Sequence, residues 1–166
     1  MSRGWVLSVG LNPTHGFGKP PAPSIRLLAG QGVEGDAHAT GGLRQVHLLQ
    51  AELFAQLRLA GYEIAPGQIG ENVTTEGVDL PSLPLGARLR LGADAVVELT
   101  GLRDPCDRLE AHRRGLARAV MSRDATGAPV RRAGVLARVV VGGEVRAGDA
   151  LVVELPSAPH RPLPPL

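Results

Sequence analysis

Glycine and proline break this chain into short pieces. Of 166 residues, 22 are glycine and 14 are proline, and few stretches between them run beyond two helical turns. Glycine frees the backbone for positive φ, while proline fixes φ and removes an N–H donor. That spacing predicts short strands joined by turns rather than long helices. Residues 5–11 and 46–49 are apolar runs, and 72–75 is β-branched. Arg88-Leu89-Arg90-Leu91 alternates with the period of a half-buried strand, and after the turn Gly92-Ala93-Asp94 the chain returns as a strand over 95–100. Residues 135–141 and 151–155 are two more strands, linked through Gly142-Gly143 and Gly148-Asp149.

Two segments read as helices. Over 50–60, Leu49, Leu53 and Leu57 recur every four residues beside Phe54, Glu52, Gln56 and Arg58 take the wet side, and Gly61 supplies the stop. The second candidate is 107–123, broken at Gly115. Aromatic residues make up only 2% of the chain, so the core must be built from Leu, Val, Ala and Ile. An apolar content of 43% and a net charge of +2 exclude a disordered chain. Strands outnumber helices, which predicts a mainly β fold with some α: a barrel with a few helices packed outside it. No internal linker divides the chain, so 1–155 reads as one domain and the proline-rich 156–166 as a mobile or extended tail. Residues 12–24, with Pro13, Gly16, Gly18, Pro20, Pro21 and Pro23, read as a long loop of the kind that often carries function.

No apolar run reaches 18 residues, and the N-terminal apolar segment is too short for a secretion signal, so a cytoplasmic protein is expected. The single cysteine, Cys106, excludes an intramolecular disulfide and suits a reducing compartment. Lys19 is the only lysine beside 17 arginines. The basic cluster Arg113, Arg114, Arg118, Arg123, Arg131 and Arg132 reads mostly as solvated surface. With one Trp, one Tyr and two Phe there is little to stack on bases, so nucleic acid is a remote alternative.

Three polar clusters could carry chemistry. In Gly32-Val33-Glu34-Gly35-Asp36-Ala37-His38, extended backbone would point Asp36 and His38 to one side for metal or hydrogen-bond work. Alternatively, Asp36 caps amides in a turn and His38 is surface. Arg44 stands just before a strand, placed to receive an anion. In Gly70-Glu71-Asn72, Asn72 offers a directional donor and acceptor, or the segment is only a turn. In Arg103-Asp104-Pro105-Cys106, a nearby guanidinium and helix-start amides would lower the thiol's pKa. A thiolate there suits a metal ligand, a nucleophile or a sulfur carrier, while a lone cysteine is otherwise a small buried apolar residue. Cys106, His112, His38 and Asp36 match no familiar zinc spacing.

Taken together, the clusters resemble the MOSC domain, named for the C-terminal domain of molybdenum cofactor sulfurases, in its short stand-alone bacterial form. The pieces that carry the likeness are 32–38, Arg44-Gln45-Val46, 66–72, 83–92, Arg103 to Cys106 and 134–149. The resemblance implies a strand-rich MOSC-type β-barrel that binds molybdenum cofactor (molybdopterin with its metal). It implies Cys106 as the metal ligand and catalytic residue, or as a carrier of sulfur, with Asp36, His38, Arg44, Asn72 and Arg103 binding the cofactor. It further implies reduction of N-hydroxylated or other N–O substrates by an oxidoreductase fed from an external redox protein. The alternative it leaves is a persulfide or cofactor carrier served by a biosynthetic sulfur donor.

Overall fold

A computed structural model describes residues 2–16, 18–104 and 107–166, without the side chains of Asp107 and Arg108. Its frame is a closed barrel. The strands are β1 (Arg3–Val9), β4 (Val46–Gln50), β5 (Val73–Glu76), β6 (Arg88–Leu91), β7 (Ala95–Leu102), β10 (Val135–Val141) and β12 (Ala150–Glu154). They run in the order β1-β12-β6-β7-β10-β4-β5, and β5 closes back onto β1. Every pair in the barrel is antiparallel except β4–β5, where Leu48 lies opposite Val73 and Gln50 opposite Thr75.

The expected alternation in β6 is what the barrel uses. Leu89 and Leu91 are buried inside with Val97 and Val153, while Arg88 faces out opposite Glu98 at 3.0 Å. Strand β4 does not alternate, because it is covered on both faces. Leu48 joins the barrel interior, and Leu49 points to a second apolar cluster outside it. That cluster is closed by α1 (Glu52–Leu59) through Leu53, Phe54 and Leu57, together with Ile69, Leu109, Leu116 and Val120. Gly61, at φ +93°, ends α1 by donating its N–H to Arg58 O.

The second helical segment is shorter than the sequence suggests. It forms α2 (Asp107–His112) and α3 (Leu116–Ala119), separated at Gly115 with φ +82°. Residues 121–123 are instead β8 (Met121–Arg123), paired with β9 (Pro129–Arg131). The cause is local: Asp124 accepts the N–H groups of Thr126 and Ala128, and Gly127 takes φ +83°, which turns the chain back as a hairpin. A further small sheet, β11-β2-β3, joins β2 (Ile25–Leu28), β3 (Gly32–Val33) and β11 (Gly143–Val145), three strands too short to show a period.

The proline-rich end is extended and packed on the barrel. Leu163 is buried, Leu102 N–H donates to Pro164 O, and Leu166 N–H donates to Leu102 O. Gly101 permits the approach, since a Cβ there would run into the Leu166 side chain. Among the described residues, no helix is long and apolar enough to cross a membrane.

Candidate functional site

A cleft of about 260 Å³ opens at the end of the barrel where the parallel strands β4 and β5 begin. Beside the start of β4 (Arg44, His47) and Leu136 of β10, four chain segments build its wall: the long loop through Lys19, the turn through His38, the 66–72 loop, and Arg103 just past β7. His38, Arg44, Asn72 and Arg103 all line it. Two further side chains, Lys19 and His47, line it and were not singled out in the sequence.

Asp36 is the hub beneath the cleft. Residues 36–39 turn instead of extending, with Ala39 N–H donating to Asp36 O, and it is this turn that leaves His38 Nδ1 3.4 Å from Asp36 Oδ1. The carboxylate accepts the amides of Asn12 and His38 at 2.9 Å, the Asn72 Nδ2 amide at 3.2 Å, and the Lys19 ammonium at 2.8 and 3.0 Å. Burial alone pushes this carboxyl up, but Lys19 and the two backbone amides outweigh it and hold it below its ordinary value. Asp36 is therefore an anion that fixes the cleft's floor. Asn72 is similarly engaged: Oδ1 accepts His47 N–H at 3.1 Å, and Nδ2 donates to Gly10 O and Asp36. It braces three segments together with donor and acceptor already in use.

The cations differ in how free they are. Lys19 is buried against Asp36, which neutralises it. Arg103 donates its backbone N–H to Gly134 O and a guanidinium N–H to Ile69 O, which aims the head across Gly70. Arg44 is exposed and makes no hydrogen bond or ion pair among the described residues. No carboxylate lines the cleft itself among the described residues, so its field is positive. Elsewhere, Arg131 pairs with Asp104, Arg132 with Ser122 Oγ, and Arg113 lies over the Tyr62 ring.

Two buried groups make stability depend on pH. His47 is buried, its Nε2 2.7 Å from Ala133 O. Burial first, then the charges of Arg103 and Lys19, press it well below its ordinary 6.5 against the pull of the Ala133 and Gly70 carbonyls. The native chain thus excludes a proton that the unfolded chain takes up. This contribution is complete above pH 6.5 and is lost as the pH falls below it, by about 1.4 kcal/mol per pH unit. Glu71, raised by burial against the amides of Gly67 and Ile69 and the Thr74 hydroxyl, works in the opposite sense above 4.5, where only the native chain keeps its proton. Urea unfolding of the native chain and His47→Gln at about pH 7.5 and 5.5 separates the two groups, because Glu71 is common to both chains: the stability of the native chain relative to His47→Gln should fall between the two pH values. A difference that does not change with pH would refute the assignment.

The sequence expectation for Cys106 falls outside the described residues, as does Pro105. No three His, Cys, Asp or Glu side chains converge to hold a metal ion among the described residues. A lysine that is unique in an arginine-rich chain was the available signal for Lys19. For His47 it was a lone polar ring in an apolar strand.

Comparison with solved structures gives the YuaD protein from Bacillus subtilis at a TM-score of 0.77 and 21% identity, covering 93% of this chain and 97% of that one. YiiM from Geobacillus stearothermophilus follows at 0.74 and 22%, covering 96% and 79%. YiiM from Escherichia coli is at 0.69 and 24%, covering 97% and 74%. At these identities the likeness is one of fold. No curated protein matches the sequence. The family model described as the MOSC domain matches residues 35–152, most of the barrel and three of the four walls of the cleft, and this chain belongs to that family.

Proposed function

We propose that the cleft binds molybdenum cofactor and that Cys106 is its protein ligand, in an oxidoreductase acting on N–O substrates. The observation that supports this most is the cationic lining: Arg44, which is exposed and makes no hydrogen bond or ion pair among the described residues, and Arg103 line the same cleft. A pterin phosphate is an anion with acceptor oxygens, which suits two guanidinium heads. Arg44 and Arg103 would hold that end, with Asp36 and Asn72 keeping the walls in register. Cys106 follows Arg103 by three residues, so the extended chain limits their separation to about 11 Å. Bound there, the cofactor supplies the redox chemistry, and the chain supplies binding and orientation. The chain has no flavin, haem or iron–sulfur motif, so electrons come from a separate redox protein in a cytoplasmic setting.

The test is metal content after expression in a host that makes the cofactor. About one molybdenum per chain is expected, lost in Cys106→Ala. Full metal in that variant removes the ligand assignment, and a mass increase of one sulfur atom on Cys106 in metal-free protein favours the carrier. Arg44→Ala should lower cofactor retention about tenfold, the worth of one charge-assisted hydrogen bond, while stability stays within about 0.5 kcal/mol. Unchanged retention would take Arg44 out of the site.

A further inference from the structure

Lys19 has three ammonium protons and no lone pair, and it is only 7% exposed. Three acceptors surround it: Asp36 Oδ2 at 2.8 Å, Asp36 Oδ1 at 3.0 Å and His38 Nδ1 at 3.3 Å. If Nδ1 carried a proton, that proton would face the ammonium and one buried Lys19 N–H would lose its acceptor. Asp36 Oδ1 is the poorer acceptor for such a proton. It already accepts Lys19 and the His38 amide, and it stands 3.4 Å from Nδ1. On its other edge the ring opens to the cleft, and Nε2 has no partner among the described residues.

We propose that Lys19 fixes His38 as a neutral imidazole with its proton on Nε2, so that the ring shows the cleft a hydrogen-bond donor and neither an acceptor nor a charge. The group that lodges there is then an unprotonated oxygen acceptor, an oxyanion or the oxygen of an N–O bond, because the guanidinium heads of Arg44 and Arg103, which line the same cleft, offer only donors as well. Lys19 is a positioning residue that acts through His38. The groups facing the ring are Lys19, Asp36 and His15, whose ring meets it edge-on at 5.1 Å. Burial and then Lys19 press His38 below its ordinary value, and Asp36 opposes them. This deepens the cofactor reading by naming the chemistry the cleft accepts. It rests on that reading for which ligand arrives, whereas the tautomer is a property of the chain alone.

Two-bond nitrogen–proton NMR on the full chain, labelled with ¹⁵N and free of cofactor, tests it. The His38 signals are identified by their loss in His38→Gln. The neutral Nε2–H pattern is expected at neutral pH, with a midpoint below 6.5. In Lys19→Met the Asp36 carboxylate faces the ring alone, and the midpoint rises by about one pH unit or more. An Nδ1–H or imidazolium pattern in the native chain overturns the proposal, as does an unmoved midpoint in Lys19→Met. If that variant does not fold, the native spectrum decides. Added sulfate should shift the Nε2–H signal more than chloride at equal ionic strength, and equal shifts overturn the acceptor class. Metal content is not measured in any of these, so failure of the cofactor reading is scored separately.

Discussion

Replacing Lys19 with Met should cost about 3–5 kcal/mol of folding stability, a large share of the roughly 5–15 kcal/mol that holds a domain together. Asp36 is the reason. Its side chain is 1% exposed, and four other groups of the cleft wall are organised on it. The Asn12 and His38 amides and the Asn72 side chain remain after the substitution, but none carries the compensating charge. A buried carboxylate without its cation either stays charged at the cost of lost solvation or takes up a proton and gives up those donors. The loss should therefore shrink as the pH falls toward the range where Asp36 protonates, since the variant's carboxyl no longer sits below its ordinary value. Urea unfolding of native chain, Lys19→Met, Asp36→Asn and the double variant completes a cycle. The double variant should recover part of the loss, because no charge is then buried alone. A loss under about 1 kcal/mol in Lys19→Met would mean that Asp36 is solvated and is not the hub described here.

How much of this was legible in the sequence follows from how local each signal is. The alternation of residues 88–91 and the spacing of Leu49, Leu53 and Leu57 are local, and both elements form where their periods place them. Strands β2, β3 and β11 have two to four residues, too few for a period, and β2 takes its other partner, β11, from more than 110 residues away. Residues 121–123 read as helix until the Asp124–Gly127 turn takes them into a hairpin, so the turn outweighs the segment's own preference. The cleft divides in the same way. Polar residues next to glycines mark Asp36, His38, Arg44, Asn72 and Arg103, and four of these line one cleft with the fifth beneath it. What each side chain does there depends on partners far off in sequence. The Lys19–Asp36 pair spans 17 residues and the Asn72–Gly10 bond spans 62. Without those partners, Asn72 looks like a ligand-binding amide and Lys19 like an ordinary loop residue.

Gly134→Ala should be comparably damaging, by about 2–5 kcal/mol, through backbone strain and collision together. Gly134 has φ +99°, in the left-handed region that costs a residue with a Cβ about 1–2 kcal/mol. The new methyl would also fall under 3.0 Å from the Leu48 carbonyl oxygen and from the His47 ring. Neither can yield cheaply: Leu48 is held in β4 against Val73 and Val135, and His47 Nε2 is bonded to Ala133 O. Relief requires moving the 133–134 corner, whose Gly134 carbonyl accepts the Arg103 N–H at 3.0 Å. The site then shifts with the core, since Arg103 and His47 are both on the cleft wall. Gly148→Ala separates strain from collision, because Gly148 has φ +93° with nothing within 4 Å of its added Cβ. That control should lose only the conformational part, about 1–2 kcal/mol. Equal losses in the two variants by urea unfolding would show that the corner at Gly134 gives way freely. A larger loss at Gly134, with a shift of the His47 NMR signals seen only there, is the result expected if this corner ties Arg103 and His47 into one rigid wall.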